Sequence, residues 1–242
     1  MNILKDLMME LKVDTLINFD NITSLILSRH SIRRYSLKEI EIDKIDIIKN
    51  EIDKINQLSN LSISLVINEK EAFSSFLSHY GNFNNVNNYL IIKGDKNDKD
   101  IYYKGGFYGE HLVLLMEQLG LSSCWVGVSY KKNVIKKQIK DNEKLIIVIC
   151  FGYKEKDGSF HKNKDINKLY EAKRDDVPSW FMLSLEQARL APTALNQQNF
   201  KFILNSDNSV TLINKGGPFS KVDLGIVKYH FDSVSPYKAI IK

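Results

Sequence analysis

The sequence predicts an α+β fold, and three observations predict it. Some segments repeat apolar residues at helical steps of three and four, while others are short β-branched runs. These segments come in the order helix, strands, helix, strand, and then helix, strands, helix. That order suggests an incomplete internal duplication. Between the two series lies a polar, charged stretch without a clear period, residues 154–176, which reads as a surface crossing or linker. The chain is therefore expected to divide into a first part, 1–176, and a shorter second part, 177–242.

Residues 1–18 read as an amphipathic helix without nameable chemistry. The stretch Asn21 to Leu27 reads as a short helix feeding a loop. Ile45, Ile48, Ile52 and Ile55 place one apolar stripe on a helix over 38–57. Leu61 to Asn68 and Tyr89 to Lys93 read as strands, with an asparagine-rich loop around Gly81 to Asn88 between them. Tyr102 to Leu119 is helical, beginning in Gly105-Gly106 and stopped by Gly120. Its stripe of Leu112, Leu115, Met116 and Leu119 reads as core. A turn then enters an extended segment, Leu121 to Gly127, and a lysine-rich helix follows. Leu145 to Gly152 is a continuous apolar strand, buried on both faces. In the second part, Ser179 to Leu190 is a helix stopped by Pro192. Phe200 to Leu204 and Val210 to Ile213 are strands around a turn containing Asp207-Asn208. Asp223 is positioned to cap a last helix carrying Ile226, Val227, Tyr229, His230 and Phe231.

At 242 residues the chain is long enough to bury a real core. Its 43% hydrophobic and 26% charged residues are those of an ordinary globular protein. The net charge of +5 is mild and dispersed, unlike the concentrated stripe of a nucleic-acid binder. Lys131, Lys132, Lys136, Lys137 and Lys140 fit a solvated helix face. Cys124 and Cys150 sit in apolar surroundings with no zinc-ligand spacing, which suits reduced thiols in the cytoplasm. Asp6 and Glu10 argue against a signal peptide. The longest apolar run, Leu145 to Phe151, is far too short to span a bilayer.

The residues that point to chemistry are Arg29-His30-Ser31-Ile32-Arg33. Three of the five arginines fall between Arg29 and Arg34, although lysine supplies most of the positive charge elsewhere. Arginine offers what lysine lacks, a planar multi-donor fork suited to phosphate or carboxylate. Ser31 adds a hydroxyl. The pentad reads as an anion cradle at a helix end, and its plain alternative is a solvated basic face with surface ion pairs.

Two further segments join it. Gly120-Leu121-Ser122-Ser123-Cys124-Trp125-Val126-Gly127 follows the long helix, and Ala191-Pro192-Thr193-Ala194-Leu195-Asn196-Gln197-Gln198 lies in the second part. Together with the pentad these resemble the nitroreductase superfamily of FMN-dependent oxidoreductases, over most of residues 20–235. The Ala-Pro-Thr segment follows the other two, which resembles a branch in which two subunit-like halves are fused into one chain. The resemblance implies a nitroreductase-like fold with a central, mostly antiparallel sheet flanked by helices. It also implies a pseudo-duplication like a fused dimer, one flavin site between the halves, and a monomer.

The resemblance further assigns expected roles. Arg29, Ser31 and Arg33 would hold the FMN phosphate and ribityl chain. His30 either contacts the ring edge and ribityl oxygens or packs locally. Lys162 and Lys164 fall where a basic pair closes over the phosphate. Trp125, Val126 and Gly127 would run along the isoalloxazine, with a backbone N–H near flavin N5; ordinary core is the other reading of Trp125. Cys124 lies within this segment, as a small apolar residue more than a redox thiol. Pro192, Thr193, Ala194 and Asn196 would approach ring and ribityl, with Gln198 a polar neighbour. Asn199-Phe200 replaces the Pro-Trp usual after this glutamine, so a proline-fixed turn is lost. No protein acid or base stands out, since the flavin itself would carry the hydride chemistry. The implied activity is reduction of nitroaromatics, quinones or a related small acceptor by NAD(P)H. The alternative is an FMN store or sensor without turnover. No metal, nucleic acid or membrane partner is expected.

Overall fold

Residues 15–74, 81–158 and 162–242 are described by the structure, a computed structural model. Most of the helix expected over 1–18 lies outside the described residues, and 15–18 are not helical.

In chain order the elements are α1 (Ile22–Ser28), α2 (Ile42–Ser59), β1 (Ser64–Val66), β2 (Asn88–Asp95), α3 (Ile101–Gln118), β3 (Ser122–Val126), α4 (Lys132–Lys136) and β4 (Glu143–Gly152). Then follow β5 (Tyr170–Ala172), α5 (Ser179–Arg189), β6 (Phe200–Leu204), β7 (Val210–Asn214), α6 (Ser220–Val234) and β8 (Ala239–Ile241). They form two compact units. One contains 29–74, 81–101 and 112–158; the other contains 15–28, Tyr102–His111 and 162–242. The units are thus discontinuous in sequence and differ from the division into 1–176 and 177–242.

The first unit is built on an antiparallel sheet of order β1-β2-β4-β3. Its centre is the apolar β4, buried from Ile146 to Gly152 as its sequence predicts. Tyr35, Phe73, Phe83, Tyr89, Val126, Val148 and Cys150 are in its core. Helix α2 ends at Asn60, whose left-handed φ of 60° supplies the stop a glycine usually gives. Asn56 then holds the next segment, donating to the Ile63 carbonyl at 3.0 Å and accepting from its N–H at 2.7 Å.

The second unit has a mixed sheet of order β5-β6-β7-β8, parallel at both outer pairings and antiparallel at β6–β7. The two sheets have different strand directions, so the suggested duplication does not extend to sheet topology. β5 falls inside the stretch read as linker, but pairs with β6. Too short to show a period, it is stabilised only by that distant partner.

Helix α6 is buried almost all round, with Phe231 stacked on Phe202 at 4.6 Å and edge-on to Phe181. Its polar residues are satisfied internally. Lys228 reaches Asp232 at 2.5 Å and the Ala239 carbonyl at 2.6 Å. His230 bridges Glu110 at 2.7 Å and the Gln187 carbonyl at 3.0 Å. Gly106 lies inside α3 rather than at its start. A Cβ there would collide with the Val222 carbonyl oxygen, and one at Gly225 with that of Tyr103, so both glycines permit close helix packing. Helix α6 starts before Asp223, so that residue is not the expected cap.

Candidate functional site

The pentad is fixed mainly by its backbone. Ser31 forms a parallel bridge with Ser123 at the free edge of β3, and the Ile32 N–H donates to the Ser123 carbonyl at 2.9 Å. On the other side, the Asn84 N–H donates to the Arg33 carbonyl and the Tyr35 N–H to that of Asn84. Ile32 anchors the segment in the core. The buried Tyr35 hydroxyl donates toward the Ile32 carbonyl at 2.6 Å and lies 3.2 Å from that of Cys150. The loop residue Gly158 packs so closely that a Cβ would come within 2.8 Å of the His30 Cβ.

This frame separates the arginines by role. Arg34 is exposed and pairs with Glu155 at 2.8 Å. Arg33 is exposed and has no ion-pair partner among the described residues. Arg29 is only 9% exposed. Arg29, Ser31 and Arg33 converge electrostatically on Cys124. A hydrogen bond with the Cys150 thiol holds the Cys124 thiol below its ordinary value, the Arg33 and Arg29 charges and Ser31 add to this, and burial opposes them. The Cys150 thiol opposite is pushed well up, chiefly by burial.

Cys124 and Val126 face the core, so neither side chain is on the surface. Trp125, between them, alternates to the other face of the strand and is partly exposed. Gly127 follows the end of β3, and its carbonyl accepts from the Tyr130 hydroxyl at 3.2 Å.

Pro192 to Gln198 lies in the other unit and is held largely by side chains. Leu195, Asn196 and Gln198 have left-handed φ of 52°, 53° and 46°, a strained choice for Leu195 and Gln198 and one that asparagine tolerates. Leu195 is 88% exposed. Thr193 accepts the Gln198 N–H on its hydroxyl at 3.0 Å. The buried Gln198 amide donates to the Arg189 carbonyl at 2.6 Å and to Asn163 at 3.4 Å, and accepts the Lys164 N–H at 2.6 Å. Its side chain therefore braces the loop internally. Asn196 donates to the Lys162 carbonyl at 3.1 Å, and the Lys164 ammonium donates to the Gln198 carbonyl at 3.1 Å. Lys162, Lys164, Thr193, Asn196 and Gln198 are thus brought together. Arg29, Ser31, Arg33 and Cys124 form the other group, and each group is described within its own unit. In place of the turn-fixing proline that the resemblance would put here, Asn199 donates to the Gln197 side chain at 3.0 Å and the Gly216 carbonyl at 3.3 Å.

One contact of the loop escaped the sequence reading, which gave Asp223 only as a helix cap. Both Asp223 carboxylate oxygens accept the Ala194 N–H, at 3.0 and 3.1 Å. No local motif signals a contact between residues so far apart.

A family model described as "Putative TM nitroreductase" matches residues 21–235. The structure is similar to that of a nitroreductase from Thermotoga maritima, with a TM-score of 0.63 at 22% identity, covering 91% of this chain and 88% of that one. It is also similar to a nitroreductase solved in complex with FMN from Desulfovibrio desulfuricans, at TM-score 0.51 and 15% identity, over 65% of this chain and 98% of that one. A nitroreductase family protein from Streptococcus pneumoniae gives TM-score 0.50 at 13% identity, over 62% and 98%. No match is found among the curated proteins. The α+β architecture and the family match agree across nearly the whole length, and the chain belongs to the "Putative TM nitroreductase" family, a group of oxidoreductases.

Proposed function

We propose that this oxidoreductase binds FMN and uses NAD(P)H to reduce a small electron-poor acceptor. The observation that carries the reading is the pentad. Arg33 is exposed without a carboxylate partner among the described residues, beside the Ser31 hydroxyl and the Arg29 guanidinium. This donor set fits a phosphate, because guanidinium forks and a hydroxyl give charge-assisted bonds of fixed direction. The strand-like backbone keeps the donors in place before any ligand arrives, which lowers the ordering cost of binding.

Trp125 and Gly127, at the end of the strand that carries the cradle, are proposed to lie along the flavin ring. Pro192, Thr193, Ala194 and Asn196, with Lys162 and Lys164, are proposed, on the resemblance, to take part in flavin binding. The chemistry that bound FMN supplies is hydride transfer, from NAD(P)H and then to a nitroaromatic, quinone or related acceptor. This chain's residues would bind, orient and shield the cofactor. A monomer in the cytoplasm completes the proposal; among the described residues no helix is long and apolar enough to cross a membrane.

The test is the visible spectrum of the protein after adding FMN and removing the excess, followed by NADH or NADPH without oxygen. A retained flavin spectrum that bleaches is the expected result. A flavin that stays yellow would instead favour storage or sensing, and no retained flavin would overturn the reading.

A further inference from the structure

We propose that Asp223 is a positioning residue: its ionised carboxylate grips the Ala194 N–H and locks the Pro192–Gln198 loop in its left-handed form, so that proton uptake there slackens the loop. As a statement about flavin binding, this rests on the function proposed above.

Both carboxylate oxygens lie within bonding distance of one backbone N–H, across 29 residues of sequence. An ionised acceptor makes a markedly stronger bond than a neutral one. The loop needs such a bond, because Leu195 and Gln198 hold φ values that residues other than glycine and asparagine avoid. The remaining ties are of other kinds: the Thr193 hydroxyl, the Asn196 and Gln198 amides, and the Lys164 ammonium. Among these, only Asp223 loses a charge on protonation.

Burial pushes the Asp223 carboxyl up from 3.8 to about 7, with the Ala194 N–H pulling the other way. The switch therefore falls near neutrality. Charged groups on the surrounding elements are engaged elsewhere. On α6, Lys221 lies over the Tyr103 ring of α3 and Lys228 pairs with Asp232. On α3, Glu110 pairs with His230, and Lys104 is buried and has a partner of its own. On α5, Arg189 pairs with Glu186. The loop itself carries no titratable side chain between Pro192 and Gln198. Proton uptake at Asp223 is thus uncompensated and is felt directly at Ala194.

The test uses the full chain and its Asp223→Asn variant, which keeps the shape and one acceptor oxygen. Without flavin, carboxyl and amide NMR titrations from pH 5 to 9 should give one shared midpoint near 7 for Asp223 and the Ala194 N–H. The Ala194 signal should lose that midpoint in the variant. With FMN as probe, the ratio of the variant's Kd to that of the unaltered chain should change at least threefold between pH 8 and pH 6. Titration of the FMN phosphate cancels in this ratio. An Ala194 signal that ignores the carboxyl, or a ratio flat with pH, overturns the proposal. If neither protein binds FMN, the flavin reading fails, while the flavin-free titration still decides whether the latch exists.

Discussion

The pentad and the Pro192–Gln198 loop are held by opposite means. The pentad borrows the edge of β3, so its backbone is paired while the Arg33 side chain stays exposed. The loop has no strand to lean on, and its own amides, hydroxyl and a distant carboxylate fix a strained backbone. The difference teaches that removing a functional side chain need not disturb the first region, whereas in the second a single side chain carries both shape and stability.

The sharpest way to break this comparison is Gln198→Ala. It strands the part-buried Arg189 carbonyl and Lys164 N–H, and should cost about 2 kcal/mol in urea unfolding. A midpoint unchanged from that of the unaltered chain would show that the loop does not depend on its amide. Arg33→Ala should do the reverse. FMN affinity should fall by roughly 1.5–3 kcal/mol while the unfolding midpoint stays put. Equal flavin content before and after the change would remove the phosphate assignment.

Asp223→Asn separates positioning from stability. The folded value of this carboxyl lies above its unfolded value, so the folded state binds the extra proton between about pH 4 and 7. Its stabilising contribution is full below that window and is lost as pH rises through about 7. Relative to the unaltered chain, the variant should therefore gain about 2 kcal/mol of stability on going from pH 5 to pH 8. Thermal melts at both pH values check this, and an identical difference at each would mean that Asp223 is not buried as described. The smallest effect is expected for Arg34→Ala, where an exposed pair with Glu155 should be worth about 0.5 kcal/mol and flavin binding should not change. A large loss of flavin there would move the phosphate contact from Arg33 to its neighbour.

Periodicity found most of the elements within a few residues, since α2, α3, α5 and β4 are long enough to reveal their buried faces. It missed β5 and β8, whose three residues each carry no period and are strands only because β6 and β7 accept them. Of the site, the clustering of arginine was visible, but not the distant carboxylate, Glu155, that pairs Arg34. Gln198 was legible as a polar residue near the loop; that its amide faces inward was not.

The chain's own order of residues determined the α+β class, the basic pentad and the family resemblance, because these depend on local spacing and composition. Only the tertiary structure decided the two discontinuous units, the edge of β3 that straightens the pentad, and the grip of Asp223 on Ala194. Each of these joins residues far apart in sequence, and such pairings leave no local signal because their energy arises only when packing brings the groups within bonding distance.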